Sequence, residues 1–321
     1  MDASLPALHR NELSNQPEPP RRERQCPSRS AGAFRSNARH FVVEPTFERK
    51  RTMDSFEDRI SGVLFGLAAG DQIGGPIRMA LIVAESVHER GQVDHADLQR
   101  RYLEWWRAGG FDTGGTAARV FDLADSGLSF DDAALQTDRA LAGQTAGCNP
   151  AHRSAPLAMC AAIADDRLAA SAIAEAHLTH RHPLAGETAA AVVVLCRLLI
   201  RAVPWTDALR LAAQGRCAEI RAALDPDLRQ PMSRGGFAPE VLRAAVCILD
   251  EATSFPQALR RAIEFAGPVN YCPVVVGSIG GARWGRAQID AALLKHHAAI
   301  LGRVESAAHA LAGAWNTVPR P

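Results

Sequence analysis

From Asp54 onward the apolar positions recur at helical spacing. Ile60, Val63, Leu64 and Leu67 stand three and four residues apart, the mark of one buried helix face. Residues 79–90 and 95–108 are amphipathic with the same period, and 116–126 continue it. Residues 186–203 are apolar on almost every face, which predicts a central helix. Further helices are predicted over 206–223, opened by a Thr206–Asp207 cap, over 239–251, and over 255–266, with Ser254 before it and Pro256 in its first turn. A last helical region covers 287–314. Hardly any stretch alternates with period two, so the pattern predicts an all-α fold with polar loops carrying the chemistry.

Two glycine ridges refine that picture. Gly62, Gly66 and Gly70 recur every four residues near one end of the patterned region, as do Gly277, Gly281 and Gly285 near the other. Small residues at that spacing let two backbones approach, so the ridges predict a closely packed central helix pair. No internal repeat and no domain boundary is visible between 54 and 315.

Residues 1–53 differ in kind. The stretch 15–40 is rich in Pro, Ser and Arg and poor in aliphatics. Such a segment cannot bury enough surface to offset its ordering entropy, and it reads as a disordered N-terminal extension. A regulatory or interaction tail and a mis-assigned start before Met53 both fit it. The division expected is therefore 1–53 as extension and 54–321 as one helical domain.

Composition adds limits. The 321 residues are 47% hydrophobic, enough for one large core or two small ones. Lys and Arg total 36 against 35 Asp and Glu, so no global field draws nucleic acid or an anionic membrane. No run of ~20 apolar residues occurs, which argues against a membrane span. The first residues do not read as a secretory signal. The seven cysteines are scattered and odd in number, with no CxxC pair, as expected of buried thiols in a reduced, cytoplasmic protein.

Four loop motifs carry the candidate chemistry. Gly66 to Pro76 reads GLAAGDQIGGP; Asp71 fits either a cap for the next turn or part of a ligand loop. Gly109 to Thr116 reads GGFDTGGT, with Asp112, Thr113 and Thr116 at the start of a helix whose amides suit a phosphate; a generic capped loop fits equally. Thr145 to Pro156 holds Asn149, His152 and Arg153; the imidazole suits acid–base work and the guanidinium suits phosphate or carboxylate. Leu178 to Pro183 places His180 and His182 on either side of Arg181. An HxH pair can bind metal, but no third ligand stands at a fitting spacing and Arg181 opposes a cation, so a polar pocket wall or a helix-ending cluster fits better.

Taken in order, these motifs resemble the ADP-ribosylglycohydrolase family. The likeness runs from about Asp54 to Gly285. It rests on the GxxxGDxxGxP opening, the Thr-rich loop, the GxxxxxRxxP segment from Gly147 to Pro156, the Thr179–His180 segment followed by Pro183, and the glycine-spaced segment from Ala262 to Gly285. The resemblance implies a compact, orthogonal multi-helix domain that binds an ADP-ribose-type small molecule or an ADP-ribosylated protein. It also implies a pair of magnesium ions held by carboxylates.

The departures from the family pattern are as informative. Where the family has Thr-Asp-Asp-Thr, this chain has Thr113-Gly114-Gly115-Thr116. Arg78 stands where a glutamate is usual, and Asn270–Tyr271 close a late motif that normally carries two aspartates. Magnesium needs hard, preferably anionic oxygens, so the binuclear centre is expected to be absent and no cofactor is expected. Two readings follow. In the first, the protein is a divergent glycohydrolase in which Asp112 orients water, Arg78 and Arg153 hold phosphates, and Asn149, His152 and Asn270 bind the sugar, with Thr113, Thr116, His180, His182 and Tyr271 completing the wall. In the second, it binds ADP-ribose or a modified partner without turnover, which Arg78 in place of an acid favours. A purely structural relic is a third. The first two readings expect Arg78, Asp112, Arg153 and Asn270 to converge on one cleft.

Overall fold

The computed structural model describes residues 45–228 and 231–316, with side chains from Ser55 onward. The expected disordered extension lies, for residues 1–44, outside the described residues. Among the described residues the chain is all-α. Fourteen α-helices are joined by loops and short 3-10 turns, and the sole β pairing among these residues is an isolated antiparallel bridge between Gly147 and Phe237.

The central pair is α1 (Pro45–Gly70) and α13 (Tyr271–Trp284). Their contact is made backbone to backbone. A Cβ added at Gly62, Gly66 or Gly70 would overlap the carbonyl groups of Gly281, Gly277 and Pro273 respectively. The ridge prediction holds for Gly277 and Gly281, while the third contact falls on Pro273. Gly285 acts differently. It ends α13 with a positive φ, and a Cβ there would strike the Asp58 carboxylate. The face of α1 beside the ridge contributes Ile60, Val63, Leu64 and Leu67, all fully buried.

Around this pair lie α2 (Gly75–Arg90), α3 (His95–Arg107), α4 (Gly114–Asp125), α5 (Phe130–Ala140), the single turn α6 (Asn149–Arg153) and α7 (Asp165–Ala176). Helix α8 (Pro183–Ile200) is long and apolar enough to cross a membrane by length and composition, but 72% of it is buried inside the fold, as its all-round apolarity predicts. It packs against α7, α13 and α6. The predicted helix over 206–223 is broken into α9 (Trp205–Ala212) and α10 (Ala218–Ala223), because Gly215 between them sits in the left-handed region that ends helices. The Thr206–Asp207 cap is not formed, since both residues lie inside α9.

Helices α11 (Ala238–Glu251) and α12 (Phe255–Ala266) match the periodicity. Ser254 precedes α12 without capping it through its side chain; the Gln257 side chain instead accepts from the Thr253 amide at 2.8 Å. The last predicted region begins as 3-10 turns and becomes regular only in α14 (Leu301–Ala314). Cys148, Cys160, Cys196 and Cys272 are buried thiols, and Cys217 and Cys247 are partly so.

Candidate functional site

The loops before α2, α4, α6 and α13 meet at one end of the bundle. They enclose a cleft of about 200 Å³. Eight of the eleven residues expected from the sequence line it: Asp112, Thr113, Thr116, Asn149, His152, His180, Asn270 and Tyr271. Gly114, Gly115, Gly147, Cys148 and Gly236 complete most of the wall.

Asp71 organises the floor. Its Oδ1 accepts from the Gly74 amide at 2.7 Å and the Ile73 amide at 3.1 Å, and its Oδ2 accepts from the Ile77 amide at 2.8 Å. A carboxylate bound to the amides at a helix start is a cap, so the capping alternative describes its contacts. The Asn270 amide nitrogen donates to Asp71 Oδ1 at 2.6 Å and to Asp112 Oδ2 at 3.4 Å, while its oxygen accepts from the Gln72 amide at 2.9 Å. Asn270 thereby ties three loops together across 199 residues of sequence. On the far side, the Asp71 carbonyl accepts from His296 Nε2 at 3.0 Å and His297 Nε2 at 2.7 Å.

Asp112 projects from a strained position. Its φ is +54°, a region that few side-chain-bearing residues occupy outside turns and sites. Gly75 is what admits it, since a Cβ at Gly75 would overlap the backbone of Phe111 and Asp112. Burial, and then the nearby Asp71 charge, push the Asp112 pKa upward; hydrogen bonds from the Gly75 amide and Asn270 oppose them.

The two histidines of the cleft are neutral. Burial lowers His152 to about 4 against the help of its Nε2 contact to the Tyr271 carbonyl at 2.9 Å. Burial, then the Arg153 charge, lowers His180 well below the usual histidine range. The Thr179 hydroxyl stands 2.8 Å from His180 Nδ1, and the His180 Nε2 edge abuts Gly147.

Three sequence-expected residues are not in the cleft. Arg153 is fully buried: its Nε donates to Glu175 Oε1 at 2.7 Å, and its other nitrogens reach the Asn149 side-chain oxygen and the Glu175 carbonyl. Tyr102 adds its hydroxyl to the same carboxylate at 2.8 Å. A guanidinium so enclosed cannot reach a phosphate; it positions Asn149 instead. Arg78 turns outward from α2, donates to the Gly74 carbonyl at 2.8 Å and lies over the Phe111 ring. His182 caps α8, its Nδ1 accepting from the Leu184 amide at 3.2 Å, and it lines an adjoining depression of about 410 Å³ that shares Gly147 and Gly236 with the cleft. Of the four residues expected to converge, Asp112 and Asn270 do, while Arg78 and Arg153 do not.

Sequence reasoning missed Gly236, Cys148 and the His296–His297 pair. The bridge that brings Gly236 to the cleft joins residues far apart in the chain: the Cys148 amide donates to the Gly236 carbonyl at 3.0 Å and the Ala238 amide to the Ala146 carbonyl at 2.9 Å. No local pattern announces such a pairing.

An all-helical bundle with a polar cleft built from the loops at one end of its central helix pair is the class that fold and site define. A sequence model of the ADP-ribosylglycohydrolase family matches residues 77–320, and the chain belongs to that family, which carries a hydrolase-like function. A solved structure described as an "ADP-ribosylglycohydrolase-related protein complex" has the same fold: TM-score 0.68, 24% identity, covering 82% of this chain and 99% of that chain. No curated protein matches the chain.

Proposed function

We propose that the protein is a divergent ADP-ribosylglycohydrolase-like hydrolase that cleaves an N- or O-glycosidic bond of ADP-ribose or a related nucleotide-sugar adduct without a binuclear magnesium centre. The observation that carries this reading is the surroundings of Asp112, the one carboxylate among the described residues that lines the cleft.

The donor set does not fit a magnesium pair. The Asp71 carboxylate already accepts four hydrogen bonds, from three amides and Asn270. The Asn270 side chain turns its nitrogen, not its oxygen, toward the Asp71 and Asp112 carboxylates, where a cation would need an acceptor. Among the described residues, no group of three or more His, Cys, Asp and Glu side chains could hold a metal ion.

Glycosidic cleavage passes through an oxocarbenium-like state. Asp112 supplies the negative charge that stabilises it and an acceptor for the attacking water. Its raised pKa brings it nearer the range in which a carboxyl group exchanges protons. His152 and His180, kept neutral by burial, offer hydrogen bonds to a sugar without adding charge.

Hydrolysis of ADP-ribosyl-arginine and ADP-ribosyl-serine peptides, with and without magnesium, tests the reading. Asp112→Asn should lower turnover about 10²- to 10⁴-fold, the usual worth of a positioned acid or base. Turnover that rises steeply with magnesium would contradict it. A second reading, binding of ADP-ribose or an ADP-ribosylated partner without turnover, is favoured by the contacts that already occupy Asp112. Binding with no hydrolysis of either peptide would select it.

A further inference from the structure

We propose that the cleft holds a phosphate-type oxyanion at the converging N-termini of α4 and α13. The proposal deepens the reading above and rests on its placing the ligand in this cleft.

The first-turn amides of an α-helix have no partner inside the helix and carry the positive end of its dipole. The protein shows both ways of treating them within one site. At α2 the amides are answered from within by the Asp71 carboxylate. At α4 and α13 no side chain caps the helix. The Thr113 hydroxyl donates to the Gly114 carbonyl at 3.2 Å rather than accepting from the first turn, and the Asn270 oxygen is engaged by Gln72. Gly114, Gly115 and Tyr271, which open these two helices, all line the cleft. With no side chains on Gly114 and Gly115, an oxyanion can approach the α4 amides directly.

A separate observation points the same way. His180 is 2% exposed. Its Nδ1 pairs with the Thr179 hydroxyl, and its Nε2 edge abuts Gly147 in the cleft wall and has no hydrogen-bond partner among the described residues; in the tautomer that carries the proton on Nε2, that edge is a donor. A buried N–H aimed into a cleft wants an acceptor. Asp112 is the one opposing charge among the described lining residues. The Gly75 and Asn270 amides engage its carboxylate, on the side of the cleft where α2 begins.

The test measures binding of inorganic phosphate, and then of ADP-ribose, to the full chain by calorimetry. The informative variant is Gly115→Asp: a Cβ there meets nothing within 4 Å, and a carboxylate in the first turn of a helix is favourable to folding. Phosphate should bind the wild type, and at least tenfold more weakly to Gly115→Asp, with Tm unchanged or raised; Gly115→Ala, whose methyl crowds the amides without adding charge, should fall between the two. His180→Ala should weaken phosphate as well. Equal phosphate affinity in wild type and Gly115→Asp, or no phosphate binding by the wild type, overturns the proposal. ADP-ribose bound equally by both proteins would sink the anion site and leave the hydrolase reading standing. Phosphate sensitivity to Gly115→Asp with no ADP-ribose binding would do the reverse.

Discussion

Arg153 and His180 stand on two sides of the same wall, and their surroundings differ in one respect. Around Arg153 the guanidinium's partners are all internal: Glu175 and Asn149 supply acceptors and Tyr102 a ring, and the group is closed off from the cleft, although Glu175 Oε2 itself has no hydrogen-bond partner among the described residues. Around His180, one ring nitrogen is matched by Thr179 and the other is presented to the cleft. Both are buried and polar, and both come from motifs that resemble the family. A buried charge whose partners are all internal maintains the fold; a buried donor with an open side is available to a ligand.

The largest effect that separates the two regions is on stability. Glu175→Ala leaves the Arg153 charge enclosed without its counter-ion and should cost about 3–5 kcal/mol in urea unfolding. If Arg153 instead served a ligand, affinity would fall and the unfolding midpoint would stay.

Acid pH is the next lever. The folded pKa of His152 lies near 4, below the ordinary value of 6.5, so between those limits the unfolded chain binds a proton that the folded chain refuses. Stability is therefore full above about pH 6.5 and falls toward pH 4, by roughly 3 kcal/mol for His152 at about 1.4 kcal/mol per pH unit. His180, shifted the same way, steepens the fall. The midpoint of unfolding measured from pH 7 to 4 checks the sign; a flat profile would mean that the histidines are charged in the fold.

The smallest effect belongs to His182. His182→Ala removes the α8 cap and should cost about 1 kcal/mol with ligand affinity unchanged. A loss of affinity with stability intact would return His182 to the binding wall.

Much of the fold was legible in order and kind. The period of Ile60, Val63, Leu64 and Leu67, the uniform apolarity of 186–203 and the glycine spacing of α1 each report on a neighbourhood a few turns long, and each matches the structure. Where local signals failed, the cause was also local: Gly215 interrupts a pattern that otherwise runs to 223. Helices α5 and α7 were not read from the periodicity; the interior of α7 mixes buried and exposed alanines that blur a face.

The sequence by itself determined that the chain would be helical, that two glycine-ridged helices would meet, and that Asp112 and Asn270 would come from polar loops. It could not determine which polar residues of those loops face the cleft. Arg153 is withdrawn by Glu175, a carboxylate 22 residues away, and Asn270 is oriented by Asp71 across 199. The direction of a side chain depends on which distant partner reaches it first, and only packing of the whole bundle decides that.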